Sequence, residues 1–371
     1  MENRKTIAFY IGSLCKGGAE RVITNLANHF YRNNYCVYVV TKFISEDEYE
    51  LQDGIIRVVA DISGLEITNN RIVNLYRRIA KMRSIWKEIN PNIIVSFIGK
   101  NNFMTITSSR MLRIPVIVSV RSAPRREYEG IIKWNMAKIL FQLTQGVILQ
   151  TNQAKKEFSR AIQKKAVILS NPLNHDFVDR TFVSKKKKEI VAVGRIDNNK
   201  NQEMLILAFM KIEKEYPKWK LKLIGDGEKK QLLQDLVNEN KLIDRIEFTG
   251  RQNDIYELIK DSSIFVLPSK MEGMPNALIE AMALGIACIS TDCPSGGPAD
   301  LINNDENGYL IEVDNEEELI FRLKYLMNHE EEVLRVGRNA KKSMEKYHPD
   351  FVYQEWQEYI EGFIKHENTK L

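Results

Sequence analysis

Ser263-Ile-Phe-Val-Leu-Pro268 and, after three further residues, Glu272-Gly-Met-Pro-Asn-Ala-Leu-Ile-Glu280 form the stretch that decides the fold. The first run is apolar and predicts a buried strand of a parallel sheet. The second begins with a Gly-Met-Pro turn and continues as a helix that stops at Gly285. One carboxylate therefore precedes this helix and another lies on it. Open α/β sheets bind ligands at the carboxyl ends of their strands, so both acids lie where a ligand is expected.

The start of this helix offers backbone N–H groups and the positive end of the helix dipole to an anion. The two glutamates supply acceptors for hydroxyl groups. Together these groups suit a nucleotide-sugar, with phosphate on the amides and hydroxyls on the carboxylates.

Strand-like and helical runs alternate along the whole chain, in two successive sets. Helical stretches such as Glu20–Tyr31 and Arg71–Ile89 separate the strands. We therefore predict an α/β protein with two doubly wound parallel sheets. The predicted strands are Thr6–Ser13, Cys36–Phe43, Ile55–Asp61, Asn92–Gly99, Pro115–Ser122, Gly146–Thr151, Ala166–Ser170, Glu189–Gly194, Leu221–Gly225, Ile246–Gly250, Ile264–Pro268, Ala287–Thr291 and Gly308–Val313.

The domain boundary is predicted at Ser170-Asn-Pro-Leu-Asn174, because proline ends the strand there and a polar stretch with four lysines follows at 185–188. This gives an N-terminal acceptor domain over 1–172 and a C-terminal donor domain over 173–349. The aromatic-rich tail, 350–371, is expected to be a helix that braces the N-terminal domain.

Composition excludes several classes of protein. The 371 residues are 44% hydrophobic and 28% charged, which is ordinary for a globular protein of two domains. No apolar run is long enough to span a bilayer, and the first residues lead straight into a strand, so we expect no signal peptide. The four cysteines form no CxxC pair, which predicts reduced thiols in a cytoplasmic protein.

Charge is distributed unevenly between the two halves. Residues 1–180 carry 27 Lys and Arg against 15 Asp and Glu, whereas residues 181–371 carry 27 against 34. A basic N-terminal half predicts contact with an anionic partner such as lipid or a lipid diphosphate, although a solvated basic surface is the alternative. No nucleic-acid motif is present, so we expect no nucleic-acid partner.

Two glycine-containing turns precede helices and are candidate phosphate sites. Gly17 and Gly18 follow the first strand and lack side chains, so a diphosphate can approach their amides. The turn is neither a Walker A loop nor a GxGxxG fingerprint. Arg195 and Lys200 follow the first strand of the second half, where both can reach a diphosphate. Arg251, after the strand Ile246–Gly250, is a candidate contact for a nucleobase.

In order and spacing, these pieces resemble the retaining glycosyltransferases of family 4, which have the GT-B fold. The similarity covers the Gly-Gly-Ala-Glu-Arg turn at 17–21, the Gly-Arg…Lys loop, Gly-Asp-Gly at 225–227, the Glu-Gly-Met-Pro…Glu segment and Asn307-Gly308. It is strongest over 189–330. The first turn and Cys293-Pro-Ser-Gly-Gly-Pro298 are similar to bacterial enzymes that build surface polysaccharides or lipid-linked oligosaccharides.

The resemblance implies roles for these residues, all still to be tested. Glu280 would hold the donor ribose, and Glu272 would contact hydroxyls of the transferred sugar. Arg195 and Lys200 would neutralise the leaving diphosphate. The catalytic set implied is Glu272, Arg195 and Lys200. The donor-binding set implied is Gly17, Gly18, Arg195, Lys200, Arg251, Glu272, Gly273, Met274, Pro275, Asn276, Ala277 and Glu280.

One departure from the family concerns the strand Pro115–Ser122. Many members have a histidine after it, whereas this chain has Val120-Arg121-Ser122. Arg121 is therefore a candidate for the place near the sugar or acceptor. Lys100 and Asn101, after the strand Asn92–Gly99, are further acceptor candidates.

The expected activity is metal-independent transfer of a hexose or N-acetylhexosamine from a UDP-sugar to a growing lipid-linked or cell-surface glycan. No Asp-x-Asp motif and no His/Cys ligand cluster is present, so no metal and no resident cofactor are expected. The expected location is cytoplasmic and peripheral on the inner membrane face, where the basic helices Arg71–Ile89 and Ile131–Leu143 are candidates to meet anionic lipid. The alternatives are a sugar-nucleotide epimerase, another GT-B enzyme such as a phosphorylase, and a non-catalytic nucleotide-sugar-binding subunit.

Overall fold

The computed structural model describes residues 4–61 and 68–365, and the chain divides into two compact units. Unit 1 comprises Met1–Asn171 together with Asp350–Leu371, and unit 2 comprises Pro172–Pro349. The end of the predicted C-terminal helix, residues 366–371, lies outside the described residues. No helix within the described ranges combines the length and apolarity needed to span a bilayer.

Unit 1 is built on a parallel sheet of seven strands in the order β3-β2-β1-β4-β5-β6-β7. Its central strands are buried on both faces and accordingly consist of apolar residues. The strands are β1 Thr6–Tyr10, β2 Cys36–Thr41, β3 Ile56–Val59, β4 Ile93–Phe97, β5 Val116–Ser119, β6 Gly146–Leu149 and β7 Ala166–Ile168.

Helices cover both faces of this sheet. Along the chain they are α1 Gly18–Arg32, α2 Arg71–Ile89, α3 Gly99–Ser108, α4 Pro124–Glu127, α5 Ile131–Leu140, α6 Asn152–Lys156 and α7 Arg160–Gln163. The helix Pro349–Lys365, numbered α15 in chain order, belongs to unit 1. Helices α1 and α15 bury Phe30 and Trp356 on one face, while α2, α3 and α5 bury Trp86, Phe103 and Trp134 on the other.

Unit 2 is also built on a parallel sheet, which has six strands in the order β10-β9-β8-β11-β12-β13. The strands are β8 Lys187–Val193, β9 Lys220–Ile224, β10 Ile246–Gly250, β11 Ser262–Leu267, β12 Ala287–Thr291 and β13 Tyr309–Ile311. The helices are α8 Gln202–Ile212, α9 Lys230–Glu239, α10 Ile255–Ile259, α11 Asn276–Ala283, α12 Gly297–Leu301, α13 Glu316–Asn328 and α14 Glu330–Ser343. Helices α8 and α13 cover one face, and α11 packs on the other.

The structure confirms the α/β class and the two doubly wound sheets. A strand is present in every segment where the sequence predicts one. Several predicted strands in unit 1 extend two or three residues too far, as at Thr6–Ser13, because the loop after the strand is also buried. Helix α2 begins and ends as predicted. Asn70 caps its start by accepting bonds from Ile72 N and Val73 N, and Asn90, in the left-handed region at φ 44°, ends it.

Candidate active site

The side chains of Lys200 and Glu272 meet at the carboxyl edge of the unit 2 sheet. Lys200 Nζ lies 2.6 Å from Glu272 Oε1, and the two side chains are 18% and 12% exposed. Lys200 follows β8, and Glu272 follows the neighbouring strand β11. Lys200 and Glu272 are 72 positions apart along the chain, and each was a separate candidate in the sequence. The order of the strands brings them into contact. A largely buried ammonium beside a carboxylate provides a charge pair at the site expected for the donor.

A compact turn fixes the loop that carries Lys200. Asp197 Oδ1 accepts hydrogen bonds from Asn199 N at 3.0 Å and Lys200 N at 2.8 Å. The same loop is joined to the segment before Glu272. Asn199 Nδ2 donates to Met271 O, and Asn199 O accepts from Lys270 N. These hydrogen bonds join the two loops and thereby hold the Lys200 ammonium next to the Glu272 carboxylate.

Arg195 begins the same loop but extends into solvent. Its side chain is 73% exposed, and its Nε lies 3.6 Å from Asp197 Oδ2. Its backbone oxygen accepts a bond from Gln202 Nε2, which connects the loop to the first turn of α8. An exposed guanidinium on an anchored backbone can reach an anion without large rearrangement.

Two glycines of Gly225-Asp-Gly227 let the neighbouring loop pass directly beneath the Arg195 loop. A Cβ at Gly225 would lie 1.9 Å from Gly194 O, and one at Gly227 would lie 2.3 Å from Ile196 O. Ile196 N also donates to Asp226 O. No side chain fits between these backbones. The Gly-Asp-Gly segment thus serves to support the loop that presents Arg195 and Lys200.

A second close approach, which the sequence reasoning missed, supports Glu272. A Cβ at Gly297 would lie 1.4 Å from Gly273 O, and Glu272 N donates to Pro294 O. The loop after β12 therefore packs directly against the loop that carries Glu272. The signal was present as Ser295-Gly-Gly-Pro298, because adjacent glycines in a loop often mark a close backbone contact.

Helix α11 begins next to this pair. Pro275 is its N-cap residue, and the Pro275 side chain makes no capping hydrogen bond. Gly273, Met274 and Pro275 are buried, whereas Asn276 and Ala277 are half-buried. The start of an eight-residue helix therefore lies beside Lys200 and Glu272. Backbone N–H groups in that position suit a phosphate.

Glu280 lies on α11 and is 5% exposed. Glu280 is therefore a buried residue of α11 and not a helix surface residue. Buried carboxylates are costly unless they are paired or hydrogen-bonded, so a functional or structural partner is expected for this side chain. Arg251 is exposed and follows β10, at the edge of the same sheet.

Unit 1 carries the other candidates, beginning with the turn after β1. Gly17 is the N-cap residue of α1, and Gly18 is its first residue. Glu20 folds back over this turn, since a Cβ at Gly17 would lie 2.3 Å from Glu20 Oε2. Burial raises the pKa of Glu20. The sequence reasoning missed this contact, although a glutamate at the third helical position is a known capping pattern.

Arg121 packs inside unit 1. Its guanidinium carbon lies 5.4 Å from the ring centres of both Phe97 and Trp356, and its Nη2 donates to Asn171 Oδ1. Burial lowers the pKa of Arg121 to about 9, and the nearby Glu127 carboxylate opposes that shift. These contacts connect the segment after β5 with β4, with the C-terminal helix and with Asn171, where the first segment of unit 1 ends. The role of Arg121 near sugar or acceptor stays a prediction.

Glu127, at the end of α4, binds the loops after β4 and β5 together. Its Oε1 accepts from Gly99 N at 2.7 Å, and its Oε2 accepts from Arg121 N at 2.9 Å and Ser122 N at 3.2 Å. Burial raises the pKa of Glu127, and these hydrogen bonds oppose the rise. Local sequence carried no signal for this residue, because its contact with Gly99, 28 positions away, depends on β4 and β5 being neighbours in the sheet.

The acceptor candidates after β4 differ in their surroundings. Asn101 is 7% exposed, and its Nδ2 donates to Phe97 O at 3.0 Å, which stabilises the start of α3. Lys100 is exposed and lines a cavity beside α3. The structure therefore gives Asn101 a contact with the last residue of β4 and leaves Lys100 at a surface opening. Whether either contacts an acceptor stays a prediction.

Within residues 4–61 and 68–365, no group of three or more His, Cys, Asp or Glu side chains is positioned to hold a metal ion. All four cysteines lie in these ranges and carry no disulfide bond. The expectation that the reaction needs no metal is a proposal, and chelation tests it as described below.

Two family models match the chain. The model described as "Glycosyltransferase Family 4" matches residues 16–177, and the model described as "Glycosyl transferases group 1" matches residues 175–343. The first match lies in unit 1 apart from its last few residues, and the second lies in unit 2. Together they include every strand of the two sheets except β1, and every candidate residue named above.

Individual relatives agree with these matches. An "uncharacterized glycosyltransferase" of Haemophilus influenzae is 26% identical over 355 residues, covering 95% of this chain and 99% of that protein. A Campylobacter jejuni enzyme is 25% identical over 353 residues, covering 94% and 96%. It is named GalNAc-alpha-(1->4)-GalNAc-alpha-(1->3)-diNAcBac-PP-undecaprenol alpha-1,4-N-acetyl-D-galactosaminyltransferase.

The fold is shared with a solved structure, Anabaena Alr3699/HepE in complex with UDP. The TM-score is 0.81 at 17% identity, with 96% of this chain and all of that chain covered. This likeness shows the fold alone, and it confirms the GT-B architecture. With both family models matched in sequence order over two doubly wound units, the chain belongs to glycosyltransferase family 4 and is a glycosyltransferase.

Proposed function

We propose that the chain is a retaining, metal-independent glycosyltransferase that moves a hexose or N-acetylhexosamine from a UDP-sugar to a growing lipid-linked or cell-surface glycan. The observation that carries this proposal is the Lys200–Glu272 pair beside the start of α11. It combines a cation for a leaving diphosphate with a carboxylate for sugar hydroxyls. Both groups stand on loops whose backbones are fixed by hydrogen bonds and by glycine contacts.

The chemistry requires stabilisation of negative charge on the leaving group. The bond between the anomeric carbon and the β-phosphate oxygen breaks, and the acceptor hydroxyl forms its bond on the same face. The acceptor proton passes to the leaving phosphate oxygen. Lys200, Arg195 and the amides at the start of α11 would stabilise the growing phosphate charge, which supports a reaction without a metal. Glu280 would hold the ribose.

The choice of uridine as the nucleotide has support from structural likeness. HepE, which shares the fold, was crystallised with UDP. At 17% identity this favours UDP without identifying the residues that select it. The exposed Arg251, at the edge of the unit 2 sheet, is our candidate contact for the base.

A lipid-linked acceptor has support from the Campylobacter relative, whose name specifies a glycan on a diphosphate-undecaprenol carrier.

The surface of unit 1 has features that suit binding to a membrane, where a lipid-linked acceptor would lie. On α2, Ile72 and Tyr76 are 78% and 72% exposed, and on α5, Ile131 and Ile132 are 81% and 77% exposed. The same helices carry cations, which are Arg71, Arg77, Arg78, Lys81, Arg83 and Lys87 on α2 and Lys133 and Lys138 on α5. Exposed apolar residues among cations are typical of helices that lie on anionic lipid. We therefore propose a cytoplasmic, peripheral membrane location.

The first experiment measures binding and hydrolysis of a panel of UDP- and GDP-sugars in the presence of EDTA. We expect one UDP-sugar to bind selectively and to be hydrolysed slowly without metal. Glu280→Gln keeps the size of the buried side chain and removes its charge, so it should weaken binding of that sugar nucleotide. Glu358→Gln, which changes an exposed glutamate of α15, should leave binding unchanged.

Each outcome of this panel has a definite meaning. Binding of no nucleotide-sugar would remove the support for a donor site in unit 2. Selective binding without turnover, even with acceptor lipids added, would favour a non-catalytic binding subunit. Activity that EDTA abolishes and Mg²⁺ restores would contradict metal independence. The anomeric configuration of the product, determined by NMR, tests retention.

A further inference from the structure

Unit 1 contains a cavity of about 540 Å³ on the face of the sheet that α2, α3 and α5 cover. The cavity opens at the carboxyl ends of β1 and β2, where Tyr10 and Lys42 line it. Most of its wall is apolar, and the residues that form this wall include Phe43, Leu75, Ile79, Met82, Phe103 and Met104. A space of this size accommodates a chain of several isoprene units or a similar apolar group.

Four cations border this apolar space: Lys42, Arg78, Lys100 and Lys133. Among the described residues, none of the four forms an ion pair. Asp61 is the one carboxylate of the lining, so the border keeps a net positive charge. Burial lowers the pKa of Lys42, and the charges of Arg78 and Lys100 lower it further. Four converging cations that outnumber the single carboxylate form a site for a polyvalent anion.

The apolar wall continues outward onto the surface. Leu75 and Phe43 line the cavity and are 51% and 52% exposed, and Met136 of α5 lines it and is 41% exposed. Beside Leu75 and Met136 lie the exposed apolar residues of α2 and α5 described above. The opening of the cavity therefore combines exposed apolar side chains, which an apolar chain from a bilayer on this surface can follow, with the cations of its border.

The cationic border is also joined to the turn that precedes α1. Lys42 N donates to Gly12 O at 2.9 Å, and a Cβ at Gly12 would lie 3.9 Å from Asn101 Nδ2 at the start of α3. Lys42, on the loop after β2, and Lys100, in the first turn of α3, thus lie near the loop after β1 that leads to Gly17 and Gly18. An anion bound by these cations would be held at the edge of the unit 1 sheet where ligands are expected.

We propose that this cavity binds the lipid diphosphate end of the acceptor, with the first isoprene units in the apolar space and the diphosphate on Lys42, Arg78, Lys100 and Lys133. This inference rests on the proposed function and deepens it, because it specifies a lipid diphosphate as the recognised part of the acceptor. A free polysaccharide has no group that fills an apolar cavity. A bilayer phospholipid such as phosphatidylglycerol carries a single charge, whereas a diphosphate matches several converging cations.

The test uses the full-length protein and three soluble probes, with binding measured by calorimetry: farnesyl diphosphate, inorganic pyrophosphate and farnesol. We expect farnesyl diphosphate to bind at least tenfold more tightly than either of the other two. Arg78→Glu reverses one exposed charge of the border and should weaken farnesyl diphosphate at least tenfold. Lys87→Glu makes the same change on α2 away from the cavity and should change binding less than twofold.

A second variant separates the apolar space from the charges. Ile79→Trp partly fills the cavity, so it should weaken farnesyl diphosphate at least tenfold while pyrophosphate binds as in the wild type. Equal binding of farnesyl diphosphate and pyrophosphate by the wild-type protein would overturn the proposal. Equal effects of Arg78→Glu and Lys87→Glu would overturn it as well, because binding would then depend on overall charge alone.

Competition with dihexanoyl-phosphatidylglycerol distinguishes the two sources of a lipid-borne phosphate. Failure of this phospholipid to displace farnesyl diphosphate at tenfold excess supports a diphosphate-specific site, and full displacement contradicts it. UDP binding is measured in the same samples. If the wild-type protein binds UDP but does not bind farnesyl diphosphate, the result refutes this inference and leaves the proposed function standing. Absence of all nucleotide-sugar binding refutes the proposed function.

Discussion

Replacing Glu272 by Gln removes a negative charge from beside Lys200 while keeping the shape of the side chain. In the structure the ammonium and the carboxylate lie 2.6 Å apart, so part of the lysine charge is already neutralised before any ligand arrives. A phosphate bound to Lys200 would have to share this ammonium with Glu272. We therefore expect Glu272→Gln to bind UDP more tightly than the wild type.

The size of the effect follows from Coulomb's law. Two anions that contact the same ammonium from different sides lie roughly 5 Å apart, which corresponds to about 3 kcal/mol of repulsion at an effective dielectric of 20 and about 0.8 kcal/mol at 80. Side-chain exposures of 18% and 12% place the pair between these limits. We expect UDP affinity to rise about tenfold, equivalent to about 1.4 kcal/mol.

Calorimetric titration with UDP in EDTA measures this directly. UDP lacks the transferred sugar, so the hydroxyl contact proposed for Glu272 does not contribute to the result. The same variant should lose most of the extra affinity for the preferred UDP-sugar over UDP, and its turnover should fall at least about a hundredfold. Lys200→Met should weaken UDP and UDP-sugar alike.

A matched control isolates the local effect. Glu189 and Lys222 form a similar pair on β8 and β9, with 2.8 Å between their charged atoms and exposures of 14% and 15%. Glu189→Gln removes the same charge elsewhere in unit 2 and should leave UDP affinity within about twofold of the wild-type value. Weaker UDP binding by Glu272→Gln, with Glu189→Gln unchanged, would refute the reasoning, since Glu272 would then assist phosphate binding and not compete with it.

Two further predictions concern packing and pH. Gly297→Ala would place a Cβ 1.4 Å from Gly273 O, so we expect it to lower the free energy of unfolding by about 2 kcal/mol or more, measured by urea denaturation. Gly362→Ala meets no atom within 4 Å and should be neutral or stabilising by up to about 1 kcal/mol, and equal losses in both variants would contradict the contact. Burial acts to raise the pKa of Glu48, but hydrogen bonds from Arg57 and two backbone amides outweigh it and hold that pKa below its ordinary value of 4.5. The Glu48 carboxylate therefore stabilises the fold above pH 4.5 and loses that contribution as the pH falls through its folded pKa. Glu48→Gln should lower Tm at pH 7, with a difference from the wild type that shrinks below pH 4.5, and a difference independent of pH would show that the carboxylate charge is not responsible.

Local sequence was sufficient for the elements of this fold because its strands are buried on both faces. Such strands must be nearly continuous apolar runs, and the helices between them must carry an apolar stripe. Segments such as Ser262–Leu267 were therefore recognisable without any knowledge of their neighbours. The strand ends were less certain, because buried loop residues are as apolar as the strands they follow.

The candidate donor residues were also recognisable in sequence, since each stands beside a turn at the end of a predicted strand. The distances between these residues could not be predicted from the sequence. Lys200 and Glu272 are adjacent because β8 and β11 are neighbours in the sheet, an order that local sequence does not specify. Gly297 supports Glu272 for the same kind of reason, through a loop from the next strand.

By itself, then, the sequence determined the alternation of strands and helices, the two sheets, the uneven charge and the residues available for donor chemistry. The tertiary structure decided which of these side chains meet and which serve as supports. It joined two loops through hydrogen bonds to Glu127 and placed Arg121 against the stacked rings of Phe97 and Trp356. It also assembled four cations around an apolar cavity from four separate segments. Local patterns are fixed by neighbours along the chain, whereas these sites depend on strand order and helix packing, which only the folded chain defines.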